Sequence, residues 1–99
     1  MLATILTFTG LVARDVLGIR PPVSDPEAHL RSAEEWLKRA HDQSPDDGVS
    51  YGYSIRGGWL PSYRETSGYI ATTFLHLARH RNEPGYRERA LRICRWLLS

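Results

Sequence analysis

The sequence predicts an all-α protein of one domain, built from helical hairpins. Three observations support this class. Apolar residues recur at spacings of three and four along most of the chain, as they do on one face of a helix. Serine, aspartate and proline stand where helices begin, and 99 residues leave room for one small domain. The 41% hydrophobic and 10% aromatic fractions are typical of a globular chain rather than a disordered one.

The N-terminal part, residues 1–22, is predicted to hold a helix over about 2–17 and a proline linker at 21–22. It does not resemble a signal peptide, because no basic residue precedes the apolar stretch and Arg14 and Asp15 interrupt it. The stretch is also shorter than the roughly 20 apolar residues that span a bilayer. We therefore expect a cytoplasmic chain that does not associate with membranes.

The second helix, predicted over 25–43, opens the main part of the domain, residues 23–99. Ser24 and Glu27 have the spacing of a capping box, Asp25 is a rival N-cap, and proline is tolerated in the first turn. The apolar residues of this helix form one stripe, which consists of Leu30, Ala33, Trp36, Leu37 and Ala40.

A segment rich in aromatic residues follows, over 49–65, with the sequence VSYGYSIRGGWLPSYRE. Its glycines and its proline exclude a long regular element, so we predict a loop. Loops of this length in a compact domain are often functional. The side chains that could contact a ligand are Tyr51, Tyr53, Trp59 and Tyr63, with Arg56 and Arg64 among them.

The third and fourth helices are predicted over 64–81 and 84–98. Ser62, with Glu65 three residues later, forms a second capping box, and Pro84 begins the last helix. The apolar residues of the third helix lie around most of its girth, which requires burial on several sides. Because three neighbouring segments cannot cover it fully, we expect an exposed apolar patch and self-association.

The charges are distributed unevenly along the chain. Residues 1–50 hold five basic and eight acidic side chains, whereas residues 51–99 hold eight arginines and three glutamates. Guanidinium groups pair well with carboxylates and phosphates, so the basic half could bind an anionic partner. The alternative is that these arginines form solvated helix faces.

The second and fourth helices repeat one apolar pattern at an offset of 60 residues, which indicates a helical repeat that stops early in its second copy. The order WLKRA, DDGVSYGYSIRGGW, PSYRETSGYIATTFLHLAR and YRERALRICRWLL resembles the opening hairpins of bacterial α/α-toroid proteins found near polysaccharide genes. The layout is also similar to the C-terminal helical domain of glucuronyl C5-epimerases and, more distantly, to terpenoid cyclase and prenyltransferase toroids. The resemblance covers about residues 25–99 and implies a partial α/α toroid, because a complete ring needs further hairpins. The repeated positions are Leu30, Ala33, Trp36 and Leu37, which fall on Ala90, Ile93, Trp96 and Leu97.

The resemblance implies that the aromatic segment lies at the rim of a cavity that holds an acidic or neutral oligosaccharide. Tryptophan rings stack on sugars, which makes Trp59 a candidate for substrate binding, and a uronate would explain Arg56 and Arg64. In a C5 epimerisation or β-elimination, a base removes the proton beside the carboxylate. The candidate catalytic residues are Tyr51, Tyr53, Tyr63 and Glu65.

Each candidate also has a structural interpretation. Tyr51 and Tyr53, two residues apart, fit one face of a short strand or a packed loop, and Glu65 fits its capping box. We expect no metal site and no cofactor, since Cys94 is the single cysteine and no phosphate loop or paired metal ligands occur. We expect no nucleic-acid partner, because the arginines of the fourth helix spread around it. Whether the chain is an enzyme stays open, and the alternative is a non-catalytic helical interaction module that pairs with itself or another chain.

Overall fold

The computed structural model describes residues 2–19 and 25–99. Within these residues the predicted all-α class is confirmed, since helices make up most of the fold and the strands are only two residues long. The two strands pair antiparallel. The elements are α1 (Leu2–Val16), α2 (Pro26–Asp42), β1 (Tyr53–Ser54), β2 (Gly58–Trp59), α3 (Arg64–Arg81) and α4 (Pro84–Leu98).

Helix α2 begins as its local sequence predicts. Asp25 is the N-cap and its carboxylate accepts a hydrogen bond from the backbone N–H of Glu27 at 3.4 Å. Pro26 occupies the first turn, where its missing N–H leaves no intrahelical bond unmade. The rival cap is therefore the one that forms, while the Ser24 half of the predicted capping box lies outside the described residues.

The capping box predicted for α3 is wrong. The N-cap is Tyr63, and no side chain caps the helix. The hydroxyl of Ser62 instead donates to Oδ1 of Asp46 at 2.6 Å. This hydrogen bond to a charged acceptor is stronger than the bond that the hydroxyl would accept from a free backbone N–H at the start of α3, which explains why it turns away from the helix. At its other end α3 stops at Asn82, whose φ of 52° lies in the left-handed region.

The hydrophobic core lies between α3 and α4. Phe74 and Ile93 are fully buried there, and the ring of Phe74 stacks on that of Tyr86 with centroids 5.8 Å apart. The buried apolar residues are Ala40, Val49, Ala71, Phe74, Leu77, Tyr86, Ala90 and Ile93.

Helix α2 packs on this pair of helices with a polar face. Glu34 and His41 are each only 1% exposed, whereas Leu30 and Trp36 of the apolar stripe are 39% and 41% exposed. Only the end of the stripe lies against α3 and α4, since Ala40 is buried and Leu37 packs against the core, whereas the rest of the stripe faces away. The reason is electrostatic, because arginines of α3 and α4 reach across to the acidic residues of α2.

These contacts explain the uneven charge distribution. The acidic first half of the chain pairs with the basic second half, so several of the arginines already have a carboxylate partner within the chain. Most of these pairs are partly exposed and each adds little, but the pair between Glu34 and Arg81 is buried. The ion pairs between the halves are Arg81 with Glu34 and Glu27, Arg89 with Asp42, Arg92 with Asp47, and Arg31 with Glu83.

Helix α1 stands apart from this core, and its described side chains are exposed along its whole length. Leu6 and Val16, for example, are 63% and 79% exposed. In the part of the chain that the structure describes, no helix combines the length and apolarity needed to cross a membrane.

Candidate functional site

The aromatic segment is a β-hairpin over 49–63, not the irregular loop that its glycines predicted. Tyr53 pairs with Trp59, and Ser54 pairs with Gly58. The hairpin extends past the two strands through backbone bonds from Tyr51 N–H to the Pro61 carbonyl (3.1 Å), Leu60 N–H to Gly52 (2.9 Å) and Tyr63 N–H to Val49 (3.2 Å).

The turn of this hairpin is set by serine and glycine. The hydroxyl of Ser54 accepts hydrogen bonds from the backbone N–H groups of Arg56 at 3.3 Å and Gly57 at 3.2 Å. Gly58 has a φ of 77°, a backbone conformation that residues other than glycine rarely adopt. The turn therefore places Ile55 and Arg56 at the exposed tip of the hairpin.

The base of the hairpin is fixed to the core. Val49 is fully buried, and its N–H donates to the hydroxyl of Ser67 on α3 at 3.0 Å. The same hydroxyl donates to the Val49 carbonyl at 3.3 Å. Gly48 lies so close to Trp96 and Ser62 that a Cβ there would be 2.7 Å from each. The hairpin is thus a rigid support for the aromatic side chains that it carries.

Three aromatic rings gather on one side of the hairpin. Residues that face each other across an antiparallel pair place their side chains on the same face of the hairpin, and the rings of Tyr53 and Trp59 meet edge to face, 5.2 Å apart. Trp59 also contacts Trp36 of α2, with ring centroids 5.1 Å apart and planes at 56°. Trp36 and Tyr53 keep 41% and 45% of their surface exposed, so part of this cluster is open to a ligand.

The aromatic cluster forms one wall of a groove of about 640 Å³. The opposite wall is α1, and Arg39 of α2 provides the charge among the residues that line the groove. Among the described residues no carboxylate lies within ion-pair distance of Arg39. The lining residues are Ala3, Thr7, Phe8 and Leu11 of α1, Trp36 and Arg39 of α2, and Tyr53, Ile55 and Trp59 of the hairpin.

Two of the predicted site residues, Tyr53 and Trp59, line this groove. Tyr51 and Tyr63 instead contact each other at the base of the hairpin, with ring centroids 6.0 Å apart. Glu65 is exposed in the first turn of α3. The groove therefore contains one of the candidate catalytic tyrosines and the predicted stacking tryptophan, but not the candidate catalytic residue Glu65.

The two predicted arginines have different surroundings. Arg56 is exposed at the hairpin tip. The guanidinium of Arg64 donates to the carbonyl of Leu97 at 2.9 Å and lies over the ring of Trp96, 5.0 Å from its centroid. Arg64 thus ties the start of α3 to the end of α4. The cation that lines the groove is Arg39, which the sequence analysis did not single out.

The residues missed by the sequence analysis come from the two helices outside the aromatic segment. Trp36 and Arg39 lie three residues apart on α2, and hence on the same side of that helix. The sequence signal for Trp36 was its place in the apolar stripe, which predicted packing rather than a ligand site. Nothing in the local sequence of α1 indicated that Phe8 and Leu11 would face the hairpin.

A second polar cluster holds α2 against α3 and α4. Glu34 accepts hydrogen bonds from the guanidinium of Arg81 at 2.6 to 3.2 Å and from the hydroxyl of Tyr86 at 2.6 Å. Hydrogen bonds from Arg81 keep the pKa of the Glu34 carboxyl below its usual value despite burial. Burial, together with the Glu34 carboxylate, raises the pKa of Tyr86 to about 12. Every polar atom of this buried carboxylate has a partner, so its role is structural.

His41 lies in a similar position one to two turns further along α2. Its Nδ1 accepts a hydrogen bond from the guanidinium of Arg89 at 3.0 Å, and its Nε2 donates to the carbonyl of Asp47 at 3.2 Å. Burial lowers the pKa of His41, and the positive charges of Arg92 and Arg89 lower it further. The same Arg89 holds the pKa of Asp42 below its usual value through hydrogen bonds.

The groove offers aromatic rings, one guanidinium and an apolar helix wall. The groups with shifted pKa values, Glu34, His41, Asp42 and Tyr86, lie where α2 meets α3 and α4 and do not line the groove. Among the described residues no set of three metal-binding side chains comes together. The aromatic rings and the guanidinium that line the groove are suited to holding a ligand by stacking and by one ion pair.

No family model, no curated protein and no solved structure matches this chain.

Proposed function

We propose that this chain binds an acidic oligosaccharide in the groove between the hairpin, α1 and α2. The observation that carries the proposal is the placement of Trp36, Tyr53 and Trp59 beside Arg39. Aromatic faces stack on the C–H faces of sugar rings while their polar tips donate to hydroxyls. A guanidinium recognises a uronate carboxylate through two parallel hydrogen bonds. Both kinds of contact are therefore available on one surface.

The proposed context is an α/α-toroid protein of polysaccharide metabolism, in which these helices are the first hairpins of the ring. The resemblance in sequence order and the close packing of α3 on α4 support this context. The proposal concerns binding and assigns no catalytic step, because the carboxylate of Glu65 is not among the groove residues.

The test is a titration with a uronate-containing oligosaccharide and a neutral one of equal length, followed by tryptophan fluorescence. Tyr53→Ser should weaken both ligands, since it removes a stacking surface from an exposed position. Arg39→Gln should weaken the acidic ligand about tenfold, the lower range for a hydrogen bond to a charged group, and leave the neutral one unchanged. Arg87→Gln, an exposed arginine on α4 outside the groove lining, is the matched control and should change neither.

Raising the salt concentration should weaken the acidic ligand only, because an exposed ion pair is screened over about 10 Å at 0.1 M salt. The proposal would be overturned if neither ligand changed the tryptophan fluorescence. An equal effect of Arg39→Gln on the acidic and the neutral ligand would also overturn it.

The second candidate function is self-association through exposed apolar faces. Its supporting observation is α1, on which Leu2, Leu6 and Leu11 are 70%, 63% and 58% exposed. Apolar patches of more than a few hundred Å² usually mark an interface. Sedimentation equilibrium should then show a dimer that Leu6→Ser dissociates. A monomer at all concentrations would remove this candidate.

A further inference from the structure

We propose that the natural ligand of the groove is an acidic saccharide joined to an apolar chain or ring. Its sugar would lie against Trp36, Tyr53 and Arg39, and its apolar part would lie along α1. This inference rests on the proposed function, which places the sugar on the aromatic side, and it adds the chemical class of the rest of the ligand.

The first observation is the composition of the α1 wall. Ala3, Phe8 and Leu11 face the groove, with Thr7 as the one polar side chain that α1 contributes to the lining. Phe8 and Leu11 are 48% and 58% exposed. A simple oligosaccharide would place hydroxyl groups against these hydrocarbon side chains, where they find few hydrogen-bond partners. An apolar ligand group would instead remove this surface from water.

The second observation is that α3 and α4 pack directly against each other as a closed helical hairpin. Gly68 of α3 faces Leu97 of α4 there, and a Cβ at Gly68 would make an ordinary van der Waals contact with that side chain at 3.9 Å. Ser67 and Ala71 are buried in the same region, and Phe74 fills the centre.

The 60-residue offset that relates α2 to α4 also places α1 over α3. Phe8 then corresponds to Gly68, and Arg14 corresponds to the fully buried Phe74. A phenylalanine is much larger than the glycine that it replaces in this comparison, and an arginine is costly to bury unless it is paired. Helix α1 therefore cannot close on α2 as α3 closes on α4. This difference in side-chain size and charge leaves the α1 side of the groove open.

The third observation is the volume of the groove. About 640 Å³ lies within the range of roughly 300–1,000 Å³ that is typical of sites for drug-sized ligands. Arg39 is the charge in the lining, so the ligand needs one acidic group and an apolar body. A uronic acid with an apolar aglycone has both features.

The experiment compares methyl and octyl glycosides of the same uronic acid at concentrations below micelle formation. Titration calorimetry should show that the octyl glycoside binds at least tenfold more tightly than the methyl glycoside. Leu11→Ser should abolish this difference, because it should weaken binding of the octyl glycoside far more than binding of the methyl glycoside. Val16→Ser is the matched control, because Val16 is exposed on the same helix outside the groove lining, and it should change neither affinity.

Equal affinities of the methyl and octyl glycosides would overturn the inference while leaving the proposed function intact. An equal effect of Leu11→Ser and Val16→Ser would also overturn it. An octyl ether of an open-chain polyol serves as a third ligand. If it binds as tightly as the octyl uronide, the sugar and acid assignments fail and both proposals are overturned.

Discussion

Replacing Glu34 with alanine should destabilise the fold by about 3–5 kcal/mol, the range found when one partner of a buried ion pair is removed. Glu34 is 1% exposed and accepts hydrogen bonds from Arg81 and Tyr86. The substitution leaves the Arg81 guanidinium, whose side chain is 8% exposed, with Glu27 as its remaining ion-pair partner among the described residues, and Glu27 is half exposed. It also leaves the Tyr86 hydroxyl buried without its acceptor. The loss therefore includes both an unpaired charge and an unsatisfied polar group.

This loss is large for a domain of this size. A chain of 99 residues has a free energy of unfolding of roughly 5–15 kcal/mol. With a urea m-value of about 1–2 kcal/mol per molar, the unfolding midpoint should fall by roughly 2–3 M. The assay is urea unfolding at neutral pH, followed by circular dichroism and by tryptophan fluorescence.

Glu35→Ala is the matched control for this experiment. Glu35 is the next residue of the same helix, its side chain is 62% exposed, and it pairs with Lys38 at 2.6 Å. Loss of an exposed pair of this kind costs less than about 1 kcal/mol. If Glu34→Ala costs no more than Glu35→Ala, the polar face of α2 does not hold it against α3 and α4.

Two further predictions concern stability. Because burial lowers the folded-state pKa of His41 below its usual value of 6.5, the unfolded chain binds this proton first, and stability should fall as the pH drops below about 6.5. His41→Gln should remove this part of the slope in urea midpoints measured from about pH 7.5 to pH 5, and an unchanged slope would contradict the role of His41. Gly48→Ala should cost about 1–3 kcal/mol, because its Cβ would lie 2.7 Å from Trp96 and from Ser62. Gly85→Ala in α4, where a Cβ meets nothing within 4 Å, should be neutral or stabilising in thermal unfolding, and equal effects of the two changes would refute the packing argument.

The helices could be predicted from the sequence because their signals are local. Predicted bounds of 64–81 and 84–98 coincide with α3 and α4, and the predicted 25–43 differs from α2 by one residue at each end. Caps, prolines and apolar spacing act within one or two turns, so they are visible without tertiary structure.

The orientation of α2 could not be predicted in the same way. Its apolar stripe favoured burial of Leu30 and Trp36, but the structure buries Glu34 and His41. The partner that decides this outcome, Arg81, lies 47 residues after Glu34 in the chain. A pattern of apolar spacing contains no information on such a distant ion pair.

Only some of the residues that line the groove could be predicted from the sequence, for a similar reason. Tyr53 and Trp59 belong to the aromatic segment and could be found by composition alone. Trp36 and Arg39 reach the groove only because the hairpin folds back on α2, which depends on contacts between distant parts of the chain. The hairpin was predicted as a loop because its strands are two residues long, too short to show an alternating pattern.

The most direct test of ligand binding in the groove uses the indole N–H resonances of the three tryptophans in ¹H–¹⁵N NMR spectra. Trp36 and Trp59 line the groove, whereas Trp96 packs against Arg64 at the end of α4 and serves as an internal control. On titration with an acidic oligosaccharide, the resonances of Trp36 and Trp59 should shift together and saturate, while that of Trp96 stays in place. Absence of any shift, or an equal shift of Trp96, would contradict the assignment of this groove as the binding site.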